Sequence, residues 1–155
     1  MSIDTIPGVR ASERREQIIE VSADRAWQVV GRPEVLHHWF PGIVDCVVDG
    51  RTRTITTGIG LDLVEEILTN DPLQRRFQYR IAPGFFKEHL ASIDVIELGP
   101  DRCLVTYASD ADPAVMAIVL GGAMAGALAE LARQLEAGAG PAIDAIDAPV
   151  TEATA

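Results

Sequence analysis

Apolar and polar residues alternate with a period of two along most of the chain, and that period predicts strands. Residues 14–21 form the first, with Gln17, Ile19 and Val21 on one face. Six more are predicted over residues 43–48, 51–57, 61–69, 74–81, 88–98 and 102–108. Turn signals separate them: Asp49-Gly50, Gly58-Ile59-Gly60, Asn70-Asp71-Pro72, Ala82-Pro83-Gly84 and Gly99-Pro100-Asp101. Connections this short join antiparallel neighbours, so a seven-stranded antiparallel sheet is expected.

Two short helices interrupt the strands after the first. Ser22 offers an N-cap and Asp24 a negative charge in the first turn of a helix running to Val30. Gly31-Arg32-Pro33 breaks it, and Pro33 restarts a second short helix through His38, ended by Trp39-Phe40-Pro41-Gly42. From Asp112, an N-cap with Pro113 at N1, the period becomes helical to about Glu136. Ala117, Leu120, Met124, Leu128, Leu131 and Leu135 share one face of that helix. Glu130, Arg133 and Gln134 mark the back of its C-terminal half as solvated. Val115, Val119, Gly122 and Gly126 make the back of the N-terminal half apolar, to be covered by loops, a ligand or the same face of a second subunit in a homodimer. The expected organisation is an N-terminal arm over residues 1–9, one domain over 10–136 and a disordered acidic tail over 137–155, rich in Gly, Ala, Pro and isolated acids.

Charge narrows the partners. Of the 155 residues, 13 are Lys or Arg and 23 are Asp or Glu, a formal net charge of -10. Such a body repels phosphate backbones and anionic lipid, so neither nucleic acid nor electrostatic membrane recruitment is expected. The uncharged run 113–129 is shorter than the roughly 20 residues of a spanning helix, which favours a buried helix over stable membrane insertion. The N-terminus lacks a basic region followed by an apolar run, and the two cysteines, Cys46 and Cys103, then read as reduced thiols of a cytoplasmic protein.

The order strand, two short helices, six strands and one long helix, with Ser22-Ala-Asp-Arg-Ala-Trp27, Pro33-Glu34 and Trp39-Phe40-Pro41-Gly42, resembles the START/Bet v1-like superfamily. The segments Asn70-Asp71-Pro72-Leu73-Gln74-Arg75-Arg76-Phe77-Gln78-Tyr79-Arg80 and Arg102-Cys103-Leu104-Val105-Thr106-Tyr107 fit the same pattern. More narrowly the chain resembles the bacterial SRPBCC group labelled polyketide cyclase/dehydrase-like. The resemblance implies an α+β helix-grip fold: a curved seven-stranded antiparallel sheet around the C-terminal helix, with a hydrophobic cavity between. It also implies a small apolar ligand, lipid-, polyketide- or isoprenoid-like; members include carriers, cyclases and toxin-like proteins.

The residues themselves also leave space, since one long helix and two short ones cannot fill a deeply curved sheet. Candidate ligand-binding residues are Ala117, Leu120 and Met124 from the helix, Tyr79, His89, Ile93 and Tyr107 from the strands, and Trp39 and Phe40 at one end. The first functional expectation is a carrier or sensor of a small hydrophobic molecule, without catalytic residues. The alternatives are a cyclase or dehydratase with His89 and a tyrosine as acid and base, and a dimeric interaction or toxin-like protein. Glu65 and Glu66 point to opposite faces of their strand, so one faces inward and needs a cation, Arg53 or Arg80. No cofactor or metal is expected. His37 and His38 diverge on their helix, and Glu34-x-x-His37 lacks the second such motif that a di-iron site requires.

Overall fold

A computed structural model of the chain describes residues 10–149. Its sheet is built hairpin by hairpin. Gly50 turns the chain with a φ of 57°, in the left-handed region that glycine tolerates without strain, and joins β2 (Ile43–Asp49) to β3 (Thr52–Thr57). Then follow β4 (Asp62–Asp71), β5 (Arg76–Ile81), β6 (Glu88–Gly99) and β7 (Arg102–Asp112), each antiparallel to the last. β1 (Ala11–Ile19) closes the order by pairing with β7, giving β1-β7-β6-β5-β4-β3-β2. Register slips by one residue at Val44, Leu68 and Leu98; bulges of this kind bend strands and raise their twist. The expected α+β helix-grip architecture is the one found.

Alternation decides which side chains line the concave face. β7 buries Cys103, Val105, Tyr107, Ser109 and Ala111 while the residues between them face outward. β5 and β6 add Phe77, Tyr79, Ala91, Ile93 and Val95. Against this face lies α2 (Ala114–Ala137), seated on β1 and β7 through Ala117, Met124, Leu128, Leu131 and Leu135. Gly121 permits the close approach. A Cβ there would stand 2.9 Å from Arg15 Nη2, in the Arg15–Glu13 ion pair of β1. Of the apolar back of α2, Val115 and Val119 are 62% and 59% exposed, and Gly122 and Gly126 are exposed as well. The 24 residues of α2 make it long and apolar enough to cross a membrane by length and composition alone, since the helix runs eight residues past the end of the uncharged run 113–129.

The first helix, α1 (Ala23–Val30), begins as expected: Ser22 Oγ accepts from the Arg25 amide at 3.1 Å. Arg75, at φ 53° in the β4–β5 turn, donates to Asp24 at 2.7 and 2.9 Å and so pins that turn to α1. The second short helix is a 3-10 helix, Pro33–His38.

Two expectations fail at the C-terminus. The chain beyond Ala137 is not a structureless tail: Pro141–Asp147 form a helix, α3, that buries Ala142 and Ile143. Nor is Gln134 solvated; it is fully buried and holds α3 in place. Its Nε2 donates to the His38 carbonyl at 2.8 Å, and its Oε1 accepts from the Ala142 amide at 2.9 Å. Arg25 completes the clasp by donating to both carboxylate oxygens of Asp147, at 2.8 and 2.7 Å. Seven residues are too few to hold a helix on their own, so α3 depends on this tertiary site. The arm over residues 1–9 and the last residues of the tail, 150–155, lie outside the described residues.

Replacing Gln134 with Leu keeps the bulk but orphans the Ala142 amide and the His38 carbonyl. Buried groups left without partners cost about 1–3 kcal/mol each, so Gln134→Leu should lower urea stability by at least about 1 kcal/mol. Arg25→Ala, which removes a pair with Asp147 about half exposed, should cost less than Gln134→Leu in the same measurement.

Candidate functional site

Because α2 sits over β1 and β7, the concave face of β3, β4 and β5 keeps an open gap of about 210 Å3. Leu120 and Ala123 of α2 form one side, Ile55, Leu63 and Ile81 the sheet side, and Leu36, Phe40, Pro41 and Ile43 one end. Apolar side chains dominate the wall. Glu65 and Tyr79 are its two ionisable members, with Thr57 as a further polar one.

Behind Glu65 lies a buried ionic cluster. Arg53 and Glu65 are direct cross-strand partners on β3 and β4, both 2% exposed. Arg53 Nε donates to Glu65 Oε2 at 2.5 Å. The guanidinium carbon lies 5.2 Å from the Phe77 ring centroid and 4.9 Å from that of Tyr79, within cation–π range of both. Arg53 Nη2 has no hydrogen-bond partner among the described residues. The other glutamate, Glu66, points outward to Arg80 at 2.5 Å. Alternation thus sends one glutamate inward, and the expected pairing with arginine is present.

Two tyrosines deepen the cluster. Tyr79 and Tyr107 hydrogen-bond to each other through their hydroxyls. Burial pushes both phenols above the usual tyrosine range, and the Glu65 charge pushes the same way, so both stay protonated near neutrality. Burial also lifts the Glu65 carboxyl above the ordinary carboxylate range, against the pull of Arg53.

Of the nine residues expected to bind ligand, Phe40, Tyr79 and Leu120 are in the wall. Tyr107 stands one layer back, reaching the site through the Tyr79 hydroxyl. Trp39, Ile93, Ala117 and Met124 are packed in the core, each at most 2% exposed, and the gap does not reach them. Ala117 and Met124 fill the seam between α2 and the sheet rather than leaving space there.

His89 has a different task. The β5–β6 ladder ends at Tyr79 and Ala91, and the next inward pair, Ile81 and His89, makes no backbone pairing. Instead the Ile81 amide donates to His89 Nδ1 at 3.0 Å, which fixes the proton on Nε2, where it faces Ser109 Oγ at 3.2 Å. The imidazole replaces a backbone acceptor where the sheet opens. Burial pushes its pKa down to about 4, against a weaker upward pull from Asp110. Both nitrogens are engaged and His89 is not in the wall of the gap, so the structure does not bring it to the place where its acid/base role was expected. It edges instead a larger groove, about 620 Å3, where β5 and β6 splay. Ion pairs border that groove, Arg80–Glu66 and Arg10–Glu88, beside Val64, Ile81 and Pro83, so its lining is mixed where that of the gap is mostly apolar. His37 and His38 end the 3-10 helix with ring centroids 3.9 Å apart, away from both.

A curved antiparallel sheet gripping one long helix, with a small cavity between them, defines a Bet v1-like helix-grip protein. The chain belongs to the polyketide cyclase/dehydrase and lipid transport family, whose model matches residues 10–136. Solved structures superpose on the same frame. XoxI from Bacillus cereus is 24% identical, with a TM-score of 0.75 over 81% of this chain and 95% of its own. Norcoclaurine synthase from Thalictrum flavum, solved as a point mutant with a transition-state analogue, is 18% identical, with a TM-score of 0.68 over 84% of this chain and 97% of that one. BexL, a di-domain ARO/CYC of the BE-7585A biosynthetic pathway, is 16% identical, with a TM-score of 0.72; 83% of this chain matches 47% of it. Comparison with curated proteins finds no match.

The buried His89 makes stability depend on pH. Its pKa is about 4 when folded against 6.5 unperturbed, so the unfolded chain takes up this proton first. That contribution is intact above about pH 6.5 and is lost as pH falls toward about 4, by about 3 kcal/mol in all. Urea unfolding between pH 7 and pH 4 should show a shallower decline for His89→Gln than for the parent protein; parallel curves would contradict the assignment.

Proposed function

We propose that this protein binds a small, mostly apolar molecule in the gap between α2 and β3–β5, and holds it rather than transforming it. The family supports a ligand-binding or cyclase-type role, and the character of the gap favours the first. The observation that carries the reading is a wall of aliphatic and aromatic side chains with its ionisable groups confined to Glu65 and Tyr79. Sealed apolar space of 210 Å3 would cost about 5 kcal/mol at about 24 cal/mol per Å3. This gap is partly open to solvent, so the figure is an upper bound, and a guest recovers part of it.

Size restricts the guest. A cavity of about 150 Å3 accommodates benzene, so about 210 Å3 suits one or two rings rather than an extended polyketide or acyl chain. Catalysis of the cyclase or dehydratase type is the second reading. The place of Glu65 beside Tyr79 in the wall favours it, with Glu65 moving a proton and Tyr79 orienting a carbonyl while Tyr107 donates their shared hydrogen bond; His89 is outside that wall.

A neutral naphthalene-based fluorophore should bind saturably with a micromolar Kd. Ala123→Phe places a ring in the gap and should weaken that binding at least about tenfold, about 1.4 kcal/mol, while unfolding stays cooperative. A linear, unsaturable titration of the parent protein would end the binding reading. Turnover of a small ketone or aldehyde substrate, lost in Tyr79→Phe, would favour the second.

A further inference from the structure

We propose that the cavity selects guests carrying a hydrogen-bond donor, a hydroxyl or a protonated amine, and seats that donor on the Glu65 carboxylate. The inference rests on the binding site proposed above and adds the chemistry of its polar end.

The polar groups are layered, and the order of the layers decides what a guest meets. Arg53 is the strongest donor nearby, but it is not part of the wall. Its Nε is committed to Glu65 Oε2, and its guanidinium lies against the Phe77 and Tyr79 rings. Glu65 stands between this cation and the gap. Among the described residues only Arg53 hydrogen-bonds to the Glu65 carboxylate, through one of its two oxygens, so Oε1 keeps its acceptor capacity. In the arrangement proposed, Tyr79, the other ionisable wall residue, donates its hydroxyl proton to Tyr107 and has none left for a guest. The guest therefore faces an acceptor, with the compensating positive charge behind it.

The consequence for selection follows from sign and geometry. A hydroxyl or ammonium group can donate to Oε1 while its ring occupies the apolar remainder; hydrogen bonds to charged groups are stronger than neutral ones. A carboxylate guest would bring a second negative charge against Glu65 where little water screens it. The formal net charge of -10 on the chain disfavours that guest further. A guest with a carbonyl alone offers nothing that Oε1 can accept, and it gains only the apolar burial.

The test is a matched naphthalene series titrated by calorimetry: naphthalene, 2-naphthol, naphthylmethylamine, acetonaphthone and 2-naphthoic acid. The naphthol and the amine should each bind at least about tenfold tighter than naphthalene, and the difference between them reports whether hydroxyl or ammonium is preferred. Acetonaphthone should bind like naphthalene, and naphthoic acid more weakly. Tightest binding by the acid or the ketone would overturn the proposal, as would equal binding by all five; failure of every compound, naphthalene included, removes the cavity as a binding site altogether. Glu65→Gln strands the buried Arg53 charge, so the second arm is the double variant Arg53→Met with Glu65→Leu, which removes both charges. It should keep its affinity for naphthalene and lose the preference for naphthol. A preference that survives in the folded double variant would show that Glu65 does not read the guest.

Discussion

One helix is too narrow for the inner face it has to cover. Seven strands at about 4.8 Å spacing extend across about 29 Å, whereas a helix with its side chains is about 10–12 Å wide. α2 must therefore choose a side. It sits on β1 and β7, where Gly121 admits the Arg15–Glu13 pair and Leu128, Leu131 and Leu135 reach the sheet. The opposite side is closed only at its edge, by Leu36 of the 3-10 helix, Phe40 and Pro41. The gap over β3–β5 is thus a consequence of element count and placement. What fills its walls is then set residue by residue, through the alternation of three neighbouring strands.

That alternation explains both what was legible beforehand and what was not. Adjacent Glu65 and Glu66 had to face opposite ways, and an inward carboxylate had to find a cation; Arg53 is that cation and Arg80 serves the outer glutamate. A period of two gives the face but not the depth. Ile93 and Tyr107 share the concave face with Tyr79, yet both are buried away from the gap, Tyr107 behind the Tyr79 hydroxyl, so they are core. The same limit applies on α2. Ala117, Leu120 and Met124 lie on one helical face, but only Leu120 borders the gap, and Ala123 beside it was missed. Small residues such as Ala117 left no space because the sheet comes close to them.

Polar residues whose roles depend on distant backbone were the least legible. Gln134 occupies a helical position beside Glu130 and Arg133, and nothing local distinguishes it from a solvated residue. Its burial follows from α3 folding back to offer the Ala142 amide. His89 is similar: its face was read correctly, but its use depends on where the β5–β6 ladder stops. An imidazole that substitutes for a carbonyl acceptor resembles a catalytic histidine in sequence. Only the two hydrogen bonds, with the depressed pKa that burial brings, separate the cases.

The Arg53–Glu65 pair is poorly explained by stability. Buried ion pairs lose much of their mutual attraction to desolvation, and hydrophobic residues of similar volume are often neutral or stabilising by about 1–4 kcal/mol in their place. This pair is also incompletely satisfied, since among the described residues Arg53 Nη2 has no partner and Glu65 holds one hydrogen bond. The rings of Phe77 and Tyr79 stabilise the cation from its faces and keep water away from it. Such an arrangement places a fixed dipole, negative end toward the gap, at one end of an apolar chamber. An arrangement of this kind contributes little to folding, but it gives an otherwise apolar cavity a direction, which under the binding proposed above would set which end of a guest goes in first.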